Sequence, residues 1–230
     1  MHGSRDEILA NLSAIRAGIA AAAGRSHLDH RHVTLVAAAK TLPPEPIAWV
    51  VEAGVTAVGH NYVQELRATR AAITLPSARW HYIGALRSGS AHQVADLADV
   101  VETVAGEHAA RRLAGRAARS GRQLEVLLEV DLTERRSGLS EDEVAPFADV
   151  IDGLDGVRLR GLMTMPPLPR VAEDSRPWFA RLRALRDRVR EKHPQVLELS
   201  MGMSLDYEVA VEEGATMVRI GTALFGPRTS

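Results

Sequence analysis

Arginine supplies 26 of the 28 basic side chains in this 230-residue chain, and the two lysines are Lys40 and Lys192. Lys40 ends an apolar run, Val33-Thr-Leu-Val-Ala-Ala-Ala-Lys40. Arginine stays protonated and cannot act as an amine nucleophile, whereas a lysine beside apolar walls loses its proton readily and condenses with carbonyls. A need for charge alone would not select lysine here, so a Schiff-base role is open to Lys40. The competing reading is a lysine that closes a strand and lets its ammonium reach water.

Two glycine-and-hydroxyl turns lie further along, Ser200-Met-Gly-Met-Ser204 and Arg219-Ile-Gly-Thr222. Each alone reads as an ordinary helix cap. Together, Gly202 with Ser204 and Gly221 with Thr222 offer backbone N–H groups and hydroxyls to a phosphate. A carbonyl-reactive amine beside a phosphate site points to a phosphorylated aldehyde, and pyridoxal 5′-phosphate (PLP) is the candidate. Arg219 at the pyridine nitrogen would keep that nitrogen unprotonated, because a guanidinium only donates. A salt bridge from Arg219 to Asp206 or Glu208 is the alternative.

The elements that must bring these residues together alternate regularly. An amphipathic helix covers roughly residues 4–22, with Ile8, Leu9, Leu12, Ile15 and Ile19 at three- and four-residue spacing. Eight short apolar runs follow, at 33–39, 56–59, 80–84, 99–104, 124–130, 159–165, 196–201 and 217–220. Segments of helical period lie between them, at 46–53, 63–73, 91–98, 108–120, 141–151, 177–192 and 205–213. The pattern predicts an α/β fold, a single (β/α)8 TIM-type barrel with an extra N-terminal helix. An open doubly wound sheet is the alternative.

In such a barrel the carboxyl ends of the strands carry chemistry. Lys40 ends the first, His60-Asn61-Tyr62 follows the second, Gly84 after His81 the third, and Met163 and Met165 the sixth. The two turns follow strands seven and eight, where barrels frequently bind phosphate. The proline-rich Met165-Pro-Pro-Leu-Pro-Arg170 then reads as a βα loop and not a linker, so residues 1–230 are expected to form one domain.

Composition narrows the classes. With 46% hydrophobic and 25% charged residues the chain can bury a core, and a net charge of -1 gives no electrostatic case for nucleic acid or an anionic membrane. Cysteine is absent, which excludes disulfides, thiolate catalysis and Cys-based zinc sites. The start lacks a signal-peptide core and no apolar stretch approaches a membrane span, so a cytoplasmic protein is expected. The arginine-rich Arg181–Arg190 segment keeps helical period among acids and reads as a solvated helix face. The cluster His27, His30 and His32 reads as a solvated loop, and no metal is expected.

The motifs Ala-Ala-Ala-Lys40-Thr, Gly59-His-Asn-Tyr-Val-Gln-Glu65, Trp80-His-Tyr-Ile-Gly-Ala-Leu86, Arg160-Gly-Leu-Met-Thr-Met165, Leu199-Ser-Met-Gly-Met-Ser204 and Met217-Val-Arg-Ile-Gly-Thr-Ala-Leu-Phe-Gly226 occur in this order. Together they resemble the pyridoxal phosphate homeostasis protein family (YggS/PROSC-like), which is related to the N-terminal barrel of alanine racemase. The resemblance implies a Schiff base at Lys40, phosphate contacts from Ser204, Gly221 and Thr222, and Arg219 near the pyridine nitrogen. It places Asn61 and Met163 or Met165 against the cofactor, Ser200 and Met201 nearby, and His81 in the pocket wall. The chain departs from the family pattern at His60, at Arg87-Ser-Gly-Ser90, at Asp131 and at Arg136.

Two functions remain open. A carrier would hold PLP and exchange it with apo-PLP enzymes, with no robust catalysis of its own. A PLP-dependent amino-acid racemase of weak or narrow activity would use Lys40 as one base and needs a second on the opposite face of the cofactor. The related racemases draw that base, a tyrosine, from a separate domain of a partner subunit, whereas Tyr62, Tyr82 and Tyr207 all belong to barrel segments here. The resemblance therefore favours the carrier, and a lone barrel is expected to be a monomer.

Overall fold

A computed structural model describes residues 2–26, 33–133 and 138–227 of the chain. Eight parallel strands run in chain order: β1 (Thr34–Ala38), β2 (Ala57–His60), β3 (Arg79–Tyr82), β4 (Val100–Val104), β5 (Leu124–Val130), β6 (Val157–Thr164), β7 (Glu198–Ser200) and β8 (Met217–Ile220). Each pairs with its neighbours and β8 pairs back with β1, from Thr34 opposite Met217 to Ala37 opposite Ile220. Closure removes every sheet edge, and the open-sheet alternative falls with it.

Helices cover the outside: α1 (Arg5–Arg25), α2 (Pro44–Glu52), α3 (Val63–Ala72), α4 (Ala91–Leu97), α5 (Glu107–Arg119), α6 (Glu141–Asp152), α7 (Arg176–Arg190), α8 (Tyr207–Glu212) and α9 (Thr222–Phe225). The extra helix α1 starts at a capping box, in which Ser4 and Glu7 satisfy each other's backbone N–H groups. It buries Ile8, Leu12, Ile15 and Ile19 against α2, α8 and α9. Two elements have too few residues to show a period in the sequence: α9 and a 3₁₀ turn at Ala172–Ser175. The proline-rich segment is the loop between β6 and that turn, as expected.

Five of the six arginines of α7 meet carboxylates, among them Arg181 and Arg188 at Glu141, and Arg176 at Glu173, Glu212 and Glu213. Among the described residues no helix is long and apolar enough to cross a membrane.

The interior of the barrel is layered. Val36, Ala57, Val100, Leu127, Met163 and Met217 form a separate apolar cluster inside the strands. Toward the amino ends of the strands, Arg79 pairs with Glu125 at 2.8 Å, and Arg160 lies 3.8 Å from both Glu125 and Glu198. Toward the carboxyl ends lies a second polar layer of His81, Glu102, Ser200 and Arg219, all buried. The barrel is therefore plugged, and a ligand reaches only its carboxyl-terminal face.

Candidate functional site

A cavity of about 460 Å³ opens at that face. Its lining brings together Lys40, Asn61, Met165, Ser204, Arg219, Gly221 and Thr222, with Asp206, Ile83, Leu168 and Leu205 completing the walls. A larger hollow of about 530 Å³ lies at the opposite end, between α1 and the starts of β1 and β2. None of the strand-end groups reaches it.

The backbone around Lys40 is tightly specified. The Ala39 N–H donates to Gly59 O at 2.8 Å, which extends the β1–β2 pairing to the residue before the lysine. Thr41 has φ +61°, the one positive φ among the described non-glycine residues, and its hydroxyl donates to Lys40 O at 2.7 Å. A β-branched residue in this left-handed region is strained. The Lys40 Nζ lies 5.5 Å from the centroid of the Tyr62 ring. Asn61 reaches the pocket because Gly84 has no side chain: a Cβ there would fall 1.9 Å from Asn61 O. The Asn61 amide donates to Ile83 O at 3.4 Å.

The two turns meet at the pocket. Gly202 has φ +90°, and a Cβ on it would lie 2.4 Å from Ala210 Cβ, so only glycine lets this turn approach α8. The Arg219 N–H donates to Gly202 O at 3.0 Å, and the Ala223 N–H donates to Ser204 Oγ at 3.1 Å. The second bond joins the turn after β7 to the first residues of α9. Asp206 fastens the neighbouring loop, accepting from the Met203 N–H at 2.7 Å and from Ser175 Oγ at 2.6 Å.

Beneath the pocket, Arg219 donates to Ser200 Oγ at 2.6 Å and to Thr164 O at 2.9 Å. Ser200 Oγ donates to Glu102 at 2.5 Å, and His81 Nδ1 lies 2.6 Å from the other Glu102 oxygen. Burial works to raise the Glu102 carboxyl, but the His81 hydrogen bond, the charges of His81 and Arg219 and the Ser200 hydroxyl together hold it below the usual range. Burial lowers Arg219 against the charges of Glu102, Asp206 and Glu129.

Most of the residues singled out in the sequence meet in the cavity, and three lie below it. Met163 belongs to the apolar layer and Ser200 to the polar network, with Met165 lining the pocket instead. Arg219 does pair with an acid, but the acid is Glu102 at 3.9 Å; Glu208 pairs with Arg25. His81 sits under the pocket against Glu102.

Of the positions that depart from the family pattern, His60 is buried between the barrel and its helices, and Asp131 accepts from the Thr133 N–H and hydroxyl. Arg87 and Ser90 are tied by a hydrogen bond from the Ser90 hydroxyl to Arg87 O. Arg136 and the cluster His27, His30 and His32 lie outside the described residues.

Sequence reasoning missed Glu102 as part of the site. The available signal was a lone acid within Val100-Val-Glu-Thr-Val104, where strand alternation puts it on the same face as Val100.

The family profile for the alanine racemase N-terminal domain matches residues 10–229. The pyridoxal phosphate homeostasis protein of Aquifex aeolicus is 35% identical over 220 residues, 94% of this chain and 96% of that protein. Its counterpart in Escherichia coli K12 is 34% identical over 97% of both chains. The structure of PipY from Synechococcus elongatus with PLP bound superimposes with a TM-score of 0.84 at 33% identity, covering 95% of this chain and all of PipY. Fold, motif order and near full-length identity agree, and the chain belongs to the pyridoxal phosphate homeostasis protein family, within the alanine racemase N-terminal-domain group.

Proposed function

We propose that this chain is a PLP-binding protein of intracellular PLP homeostasis that holds the cofactor as a Schiff base on Lys40. The carrying observation is the convergence in one cavity of an amine, a buried guanidinium and two linked glycine-hydroxyl turns. That donor set suits a phosphorylated pyridine aldehyde: each of its polar ends has a partner of matching chemistry. PipY, described with PLP bound, supports the same assignment.

When bound, the cofactor supplies an aldehyde that condenses reversibly with amines. In this reading Ser204, Gly221 and Thr222 take the phosphate. Arg219 would donate to the ring nitrogen and leave it unprotonated, because a guanidinium offers hydrogen bonds without releasing its proton. Asn61 and Met165 flank the ring, while Ser200 and Met163 support the floor from below. Residues 1–230 form one PLP-binding domain, working as a cytoplasmic monomer that passes PLP to apo-PLP enzymes.

Carriage is favoured over racemisation by the state of the candidate second bases. Tyr62 lies against Lys40 itself, and the Tyr82 hydroxyl donates to Ala85 O at 3.3 Å.

The test is borohydride reduction of the PLP-loaded protein followed by peptide mass mapping. Lys192 is a built-in control, since it is exposed and pairs with Asp149 at 2.7 Å. The expected result is a stable adduct on Lys40 and none in Lys40→Ala. An adduct on Lys192 alone, or one retained by Lys40→Ala, would overturn the assignment.

A further inference from the structure

Glu102 is a carboxylate that the proposed function leaves unused. It stands in β4 with no exposed surface. A carboxylate is kept in such a place only where donors surround it. One of its oxygens faces His81 Nδ1 and the other accepts from Ser200 Oγ. A guanidinium can only donate, so the Ser200 oxygen accepts from Arg219 and its single proton points to Glu102. The direction of each bond from Arg219 to Glu102 is therefore fixed. The second terminal nitrogen of Arg219 is held by Thr164 O. The guanidinium is thus gripped from β6 and β7, with Glu102 3.9 Å away.

We propose that Glu102 is a positioning residue for the pocket: acting through Ser200, it orients the Arg219 guanidinium and partly cancels its charge. The floor then donates to a neutral ring nitrogen without presenting a full cation. This inference rests on the PLP reading above. Glu102 itself is absent from the pocket lining and acts only through its neighbours.

The test compares dissociation constants for PLP and for PLP methylated at the ring nitrogen, which carries a permanent positive charge there. Both are titrated by absorbance into the full-length wild type, Glu102→Gln and Ser200→Ala. Glu102→Gln leaves Ser200 an acceptor oxygen but removes the charge. The preference for PLP over the methylated cofactor is expected to widen about tenfold, because Arg219 loses the strongest of its counter-charges while Asp206 and Glu129 remain. Equal weakening toward both ligands is what a purely structural Glu102 would give, and it overturns the proposal.

Should Glu102→Gln fail to fold, Ser200→Ala carries the test, since both charges remain and only the bridge is lost. Its PLP affinity is expected to fall about tenfold, while inorganic phosphate binds as in the wild type. Unchanged PLP affinity, or an equal loss of phosphate affinity, overturns the proposal. A wild type that binds phosphate but no PLP would overturn the functional reading, and this inference with it. A wild type that binds PLP, with variants that behave like it, overturns this inference alone.

Discussion

His60 and Glu65 face each other across 4.0 Å between β2 and α3, and both ring nitrogens of His60 and Oε2 of Glu65 are buried without a hydrogen-bond partner. The imidazole stacks on Trp80, with centroids 6.2 Å apart and planes 24° apart. Burial pulls its pKa down from 6.5 to about 4. The carboxylate is too distant for the hydrogen bond that would offset that cost.

A pH dependence of stability follows from this pair. His60 stays neutral when folded but takes a proton near 6.5 when unfolded, so the unfolded state binds more protons between pH 6.5 and about 4. The His60 contribution is complete above pH 6.5 and is lost as pH falls toward 4, by at most about 3 kcal/mol. Urea melts at pH 7.5 and pH 5 check this in the wild type and in His60→Phe, which keeps a ring against Trp80. The variant should lose distinctly less stability between the two pH values. Parallel losses would show that His60 is not the group responsible.

The phosphate assignment separates by ligand. Ser204→Ala removes the oxygen that accepts the Ala223 N–H and joins the two turns. Affinity for PLP should drop about tenfold, the size of a lost hydrogen bond to a charged group. Affinity for pyridoxal, which lacks the phosphate, should stay unchanged. Spectroscopic titration of both ligands reads the difference, and equal losses would place the phosphate elsewhere.

Much of this architecture was legible because its signals are local. Strand and helix periods and the end of β1 just before Lys40 are carried by neighbouring residues. Closure of the barrel is not, since the pairing of Thr34 with Met217 joins opposite ends of the chain. For the same reason Met163 and Met165 could not be separated in the sequence. They share a strand face, and only the depth of the apolar layer decides that one plugs the barrel and the other lines the pocket. Glu102 escaped because its role depends on Ser200, 98 residues away. The four-residue α9 is too short to show a period at all.

Two glycine substitutions should move stability in opposite directions. Gly202→Ala must adopt φ +90° and bring its Cβ to 2.4 Å from Ala210 Cβ, so a loss of about 2 kcal/mol or more is expected, with weaker PLP binding. Gly24 lies in the last turn of α1 and a Cβ there meets nothing within 4 Å. Gly24→Ala should gain up to about 1 kcal/mol from helix propensity and leave PLP binding unchanged. Chemical denaturation of both variants checks the contrast, and a stable Gly202→Ala would remove the steric argument for this turn.

Asp206 should hold the mouth of the pocket together. Its carboxylate joins the 3₁₀ turn through Ser175 to the loop after β7 through the Met203 N–H, and Ser175 is fully buried. Asp206→Ala leaves the Ser175 hydroxyl and the Met203 N–H without their acceptor, a cost of about 3 kcal/mol. Asp206→Asn keeps one acceptor oxygen and should cost roughly half as much. Because the 3₁₀ turn continues the loop from Met165 to Val171, the same loosening should speed proteolytic cleavage within that loop. Thermal melts order the variants, and limited proteolysis locates the change. If Asp206→Ala melts like the wild type and cleavage in the loop is not accelerated, the two loops are held by other contacts and Asp206 has no latching role.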